Sequence, residues 1–163
     1  MIVNIQNEID FDVLSFFCRD RKQAGRTIGL TNGCFDMTHY YHLTTLQRCK
    51  RLCDILIVAV DSDRLVKETK GSTRPVFVED HRVALIDGYK PVDFALVMDS
   101  LGDFKKVASW IKPDFMFKND EFVGREEEIV GLKESGAKLI IIPDADVVSS
   151  TSAFVEKIKK EGL

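Results

Sequence analysis

The six residues Ile55-Leu56-Ile57-Val58-Ala59-Val60 are apolar without interruption and stop at Asp61. A strand with one wet face alternates; an unbroken run is buried on both faces, which belongs to a parallel sheet covered by helices on either side. Thr27-Ile28-Gly29-Leu30-Thr31 precedes it, and residues 93–98, 114–117 and 138–142 follow it with similar character. Five strands are therefore predicted. Between them apolar residues recur at helical spacing. Phe11, Leu14, Phe17 and Cys18 mark a helix over about 8–24, stopped by Gly25, and Leu43, Leu46, Cys49 and Cys53 mark a second. Val83, Leu85 and Ile86 face inward in a helix over 78–89. Asp99-Ser100 caps a helix over about 101–111, closed by Lys112-Pro113, and a charged helix over 125–135 ends near Gly136. Ser149-Ser150-Thr151-Ser152 opens a last helix with Phe154, Val155 and Ile158 inward. Residues 64–74 are polar, run into Gly71 and Pro75, and read as a mobile loop.

Strand and helix alternate along the whole chain, which predicts an α/β protein: a Rossmann-like, doubly wound, parallel five-stranded sheet with helices on both faces and right-handed crossovers. At 163 residues the expected organisation is a single domain over 1–163, with the helix over 8–24 packed on it. A net charge of -3 argues against a broad nucleic-acid surface or a polybasic membrane face, so small molecules or protein are the expected partners. No apolar run reaches the roughly 20 residues of a spanning helix, and Met1-Ile2-Val3-Asn4-Ile5 lacks the regions of a secretory signal. A cytoplasmic location is expected. Cys18, Cys34, Cys49 and Cys53 form no CxxC pair and read as free thiols of a reducing compartment, with Cys49 and Cys53 on the apolar face of one helix. Cys34 lies in a turn, but nothing in the order of residues supplies the base a nucleophile needs.

The polar residues of interest all follow strands. Asp36, His39 and His42 follow the first; Asp61, Lys67 and Lys70 the second; Lys118, Asn119 and Asp120 the fourth; the Ser149 to Ser152 cluster the fifth. In a parallel sheet these loops share one edge and line one crevice. Lysines, imidazoles and hydroxyl-bearing helix starts suit a polyphosphate. His39 and His42, three apart, point the same way if helical geometry begins near Thr38. A histidine at a helix start is commonly a solvated surface residue; the position directly after a buried strand singles these two out. Zinc on the two histidines and Asp36 would need a third strong ligand at matched spacing, so no protein-held metal is expected. Lys67, Lys70 and Arg74 read as solvated charge or, with Gly71 and Pro75, as a cationic flap that closes on phosphates. Ser149, Ser150 and Thr151 suit a helix cap and an anion site equally. A dinucleotide redox site lacks its GxGxxG after the first strand.

The chain resembles the HxGH nucleotidyltransferase (cytidylyltransferase-like) family, and within it the adenylyltransferase domain of bacterial ADP-heptose synthases. Thr31-Asn32-Gly33-Cys34-Phe35-Asp36 looks like the opening signature, and His39-Tyr40-Tyr41-His42 falls where HxGH stands. The similarity continues in order through Ile55 to Val60, Val66-Lys67, Lys70-Gly71, Arg74-Pro75-Val76, Asp80 with Arg82, Val92-Asp93, Ile111 to Asp114, Lys118 and Ser150-Thr151-Ser152. The resemblance implies attack by a sugar phosphate oxygen on the α-phosphorus of a nucleoside triphosphate, ATP or alternatively CTP, with release of pyrophosphate. By resemblance, His39, His42, Lys67 and Lys70 are catalytic. The stretch Thr31 to Asp36, with Tyr41, Lys118, Asn119, Asp120, Ser149, Ser150 and Thr151, binds nucleotide. Asp36, Lys67, Lys70, Arg74 and Arg82 bind the acceptor. Mg2+ enters on the nucleotide phosphates, and a homodimer is implied.

Two departures stand out. Tyr41 replaces the glycine of HxGH, and Lys118-Asn119-Asp120-Glu121-Phe122 replaces a Lys-Gly-Gly-Asp-Tyr type of stretch. Both narrow the nucleoside side. Besides an AMP transferase acting on a heptose 1-phosphate-like acceptor, the alternatives are an enzyme like glycerol-3-phosphate cytidylyltransferase or the archaeal type of FAD synthetase, and a non-catalytic nucleotide- or phosphate-binding homologue.

Overall fold

The apolar run at the centre of the sequence forms the middle of the sheet. The computed structural model describes residues 1–4, 8–143 and 160. In chain order the elements are β1 (Ile2–Val3), α1 (Glu8–Gln23), β2 (Ile28–Gly33), α2 (Tyr40–Lys50), β3 (Ile55–Asp61), α3 (Asp63–Lys70), α4 (Glu79–Asp87), β4 (Phe94–Met98), α5 (Leu101–Ile111), β5 (Phe115–Lys118), α6 (Leu132–Ser135) and β6 (Lys138–Ile141). The strands pair in parallel in the order β1-β4-β3-β2-β5-β6.

Alternation along β3 separates two cores. Ile55, Ile57 and Ala59 meet Phe11, Leu14 and Cys18 of α1 and Phe104, Val107 and Ile111 of α5. Leu56, Val58 and Val60 meet Leu46 and Cys49 of α2, Cys53, and Val83 and Ile86 of α4. Both faces are therefore dry, as the unbroken run requires. Gly29 of β2 is needed for this packing. A Cβ there would overlap the Phe117 ring and stand 2.8 Å from Cys53 Sγ.

Register is pinned at the amino ends of the strands. Asp93 accepts from the Leu56 N–H at 2.7 Å, Asp114 from the Ile28 N–H at 2.8 Å, and Asp54 from the Thr27 N–H at 2.9 Å. Each of these carboxylates lies just before one strand and ties it to the start of its neighbour, so the carboxyl ends, where chemistry collects, arrive level.

The predicted architecture holds, with four differences. The sheet has six strands rather than five, because Ile2–Val3 adds at the edge beside β4; two residues carry no periodicity to read. Residues 63–70 form a helix rather than a loop: Ser62 caps it by accepting from the Leu65 N–H at 3.1 Å, and Leu65 and Val66 are buried. The predicted charged helix over 125–135 reduces to a 3-10 turn at Glu126–Glu128 and the short α6, since Gly131 adopts φ 80° and interrupts it. The helix after β2 begins at Tyr40, with His39 as its cap rather than inside it. The predicted last helix, with Ser149, Ser150 and Thr151, lies outside the described residues.

Candidate active site at the sheet crossover

The chain builds β2, β3 and β4 outward in one direction, then returns to place β5 on the other side of β2. The crevice at such a reversal is where parallel α/β sheets hold ligands. Here it is a cavity of about 680 Å³. It gathers Thr31, Asn32, Gly33, Cys34, Phe35 and Asp36 from the end of β2, His39, Tyr41 and His42 from the start of α2, Lys70 and Arg74, and Lys118 and Asn119 from the end of β5. Of the other predicted residues, Lys67 and Asp120 are exposed and do not line it, and Arg82 is fully buried. Asp61, Thr45, Thr69, Glu121 and Phe122 line it as well.

The two histidines cap their own helix. His39 is in extended conformation, and its Nδ1 accepts from the Tyr41 N–H at 3.4 Å, while His42 Nδ1 accepts from the His39 N–H at 3.3 Å. The first N–H groups of a helix have no partner within it, and imidazole acceptors here supply what Ser or Glu usually do. An Nδ1 that accepts carries no proton, so each neutral ring holds its proton on Nε2. The rings lie 4.3 Å apart, and His39 Nε2 is buried without a partner. Burial lowers the pKa of His39; burial, then the charges of His39 and Lys70, takes His42 down to about 4. At neutral pH the pair offers uncharged N–H donors.

The turn before α2 is strained. Phe35 and Met37 adopt φ 50° and 48°, a region non-glycine residues enter at a cost of order 1 kcal/mol each. Asp36 between them is 2% exposed and accepts from the Val76 N–H at 2.9 Å, the Phe77 N–H at 3.1 Å and Arg74 Nε at 2.8 Å. Burial works to raise its pKa, but the two N–H groups and Arg74 outweigh it and hold the carboxyl below its usual range. Arg82 joins the same frame from below, donating to Cys34 O at 2.5 Å, Phe77 O at 2.9 Å and the Asp63 carboxylate at 2.8 Å. Arg82 thus supports the turn and does not reach the cavity. All four cysteines are free and buried. Burial raises the pKa of Cys34, so its thiol stays protonated at the cavity wall.

Lys118, Asn32 and Asp61 sit on three adjacent strands. Lys118 Nζ donates to Asn32 Oδ1 at 2.5 Å and lies 5.1 and 5.0 Å from the ring centroids of Phe104 and Phe122. Burial lowers its pKa to about 8, against the opposing pull of Asp61 and Glu121. Asp61 has its pKa raised by burial more than Asn32, Lys70, Lys118 and Arg82 lower it. Its Oδ1 and the Tyr41 hydroxyl are, like His39 Nε2, buried and unpartnered. Asp61 stood at the right edge in the sequence, but nothing there showed that one of its oxygens would be left without a partner. Glu121 and Phe122 had only the position after a strand to mark them.

No set of three His, Cys, Asp or Glu side chains among the described residues is grouped to hold a metal ion by itself. A single carboxylate with a free oxygen does fit a magnesium ion carried by phosphates, since that ion typically takes one or two carboxylates and completes its shell with phosphate and water.

Fold and site together define a Rossmann-like α/β protein with a cation-lined crevice at the sheet crossover. Residues 30–161 match the cytidylyltransferase-like family, and the chain belongs to it. It is 37% identical over 133 residues to the bifunctional protein HldE of Desulfatibacillum aliphaticivorans, covering 80% of this chain and 27% of that protein. It is 33% identical over 150 residues to HldE of Nitratiruptor sp., covering 92% of this chain and 31% of that one. The chain therefore spans less than a third of the length of these relatives. The lipopolysaccharide core biosynthesis protein from Thermoplasma volcanium GSS1 superimposes with a TM-score of 0.60 at 29% identity, over 76% of this chain and all of that one.

Proposed function

We propose that this chain transfers a nucleoside monophosphate, AMP in the first instance, from a nucleoside triphosphate to a sugar phosphate resembling heptose 1-phosphate. The observation that carries the reading is the convergence of His39, His42, Lys70 and Lys118 on one cavity at the sheet crossover. A phosphate oxygen of the acceptor attacks the α-phosphorus in line; the new P–O bond forms as the bond to the β-phosphate bridging oxygen breaks, and pyrophosphate leaves with the electron pair. The acceptor oxygen is already anionic, so no base is required. What remains is positioning and stabilisation of charge on the α-phosphate and the leaving oxygen. His39 and His42 donate there through Nε2–H, held in the donating tautomer by the helix cap. Lys70 and Lys118 hold phosphates, and Ser149, Ser150 and Thr151 are assigned to the nucleotide. Mg2+, when bound, neutralises phosphate charge. Self-association as a homodimer accompanies this reading.

Pyrophosphate release is the test, with ATP, CTP, GTP and UTP each paired with heptose, hexose and glycerol phosphates. Release with ATP and a sugar 1-phosphate is expected; release only with CTP and glycerol 3-phosphate, or with ATP and FMN, reassigns the acceptor and base; none with any pair refutes catalysis. One observation favours a second reading, a phosphate-binding protein without turnover. The ring of Tyr41 lines the cavity where the family pattern has glycine. Under that reading Tyr41→Gly increases triphosphate affinity in calorimetry, and an unchanged affinity removes Tyr41 as the cause.

A further inference from the structure

Three neighbouring strands bring polar side chains to this cavity, and one of them is left with an unpaired oxygen. Lys118 of β5 donates to Asn32 of β2, and Asp61 of β3 lines the same cavity. Asp61 Oδ1 is buried and has no partner. The cavity offers cations and donors, Lys70, Lys118, Arg74 and the imidazole Nε2–H groups, beside the carboxylates of Asp36, Asp61 and Glu121. Asp36 is taken up by Arg74 and two backbone N–H groups, whereas the unpaired oxygen of Asp61 repels phosphate. It is also short of donors, since buried polar groups are nearly always paired and burial here outweighs the neighbouring cations. A ligand that fits both features carries phosphate for the cations and an uncharged donor for the carboxylate.

We propose that Asp61 Oδ1 accepts a hydrogen bond from a hydroxyl of the phosphorylated ligand, and that it makes this site selective for polyol phosphates over other phosphate esters. The hydroxyl belongs either to the acceptor sugar or to the ribose of the nucleotide. The inference rests on the proposed function only in taking the ligand to be a phosphate ester. Sites built to bond a hydroxyl reject analogues that lack it, because the buried group is then left unpaired.

The test is calorimetry on the full chain, at constant magnesium and again without it, using two pairs of probes matched in charge. Mannose 1-phosphate is compared with methyl phosphate, and ATP with 2′,3′-dideoxy-ATP. The wild-type protein is expected to prefer the hydroxyl-bearing member of one pair by at least ~10-fold, about the worth of one well-made hydrogen bond to a charged group. The pair that shows the preference identifies the source of the hydroxyl. Asp61→Ala is expected to abolish the preference while still binding the member without hydroxyls, which also shows that the variant is folded. Asp61→Asn, whose amide still pairs with a hydroxyl whichever way it turns, is expected to keep a weaker preference and to bind methyl phosphate more tightly, because a negative charge has gone. Preference in neither pair, a preference that survives Asp61→Ala, equal losses for both members of a pair, or a loss seen only with magnesium present would each overturn the proposal. An Asp61-dependent preference without pyrophosphate release leaves this inference standing and refutes the transferase; turnover that ignores Asp61 does the reverse.

Discussion

Lowering the pH should withdraw stability through His42 in a defined window. The half-buried ring has its pKa pushed down to about 4, against 6.5 for an ordinary imidazole, by burial and then by the charges of His39 and Lys70. Between those values the unfolded chain binds a proton that the folded chain refuses, so unfolding free energy rises with pH there. The contribution is fully present above 6.5 and is lost as pH falls toward 4; it amounts to about 2 kcal/mol lost by pH 5 and about 3 kcal/mol in full. A proton on His42 Nδ1 would also face the His39 N–H that this atom accepts from. The chain has three histidines, so Cε1–H proton NMR from pH 3.5 to 8 resolves them, with His42 assigned by its disappearance in His42→Gln. Urea unfolding of wild type and His42→Gln at pH 7 and pH 5 gives the energetic side, and the wild type should lose more. A His42 signal titrating at 6.5, or equal losses in the two proteins, refutes the argument.

Three further outcomes follow from the site and its supports. His39→Asn keeps a good helix cap but no Nε2–H, so unfolding free energy should change by less than ~0.5 kcal/mol while kcat for pyrophosphate release falls roughly 10²- to 10³-fold; equal losses of stability and rate would assign His39 to the cap alone. Asp36→Ala removes the acceptor of two N–H groups and Arg74 and should cost about 2–4 kcal/mol in urea unfolding; a cost under ~1 kcal/mol would deny it a part in holding residues 74–77. Gly29→Ala should destabilise by about 1–3 kcal/mol through overlap with Phe117, and Phe117→Leu in the same chain should recover part of it, both read by thermal unfolding.

The sheet was legible because burial on both faces leaves an unmistakable trace, and Ile55 to Val60 has no polar residue to dilute it. The edge where chemistry gathers followed from topology, and Asn32, His39, His42, Lys70 and Lys118 do share a cavity. What escaped was settled by partners distant in sequence. Ile2–Val3 is a strand only because β4 is there to pair with it. Residues 63–70 looked like a loop through their charge, although Ser62 and the adjacent Leu65 and Val66 are enough for a capped, half-buried helix. Arg82 reads as a phosphate ligand by type, yet its guanidinium is taken by two carbonyls and Asp63, which no local pattern discloses.

The bond between Asn32 and Lys118 joins residues 86 positions apart, on strands that become neighbours only when the chain doubles back past β2. Strands β2, β3 and β4 can zip together from nearby segments, but that half-built sheet would leave Asn32 without its lysine and the cavity without one wall. The cavity in this protein is thus a gauge of completed topology: a truncated or misassembled chain could show abundant helix and strand by circular dichroism and still lack it.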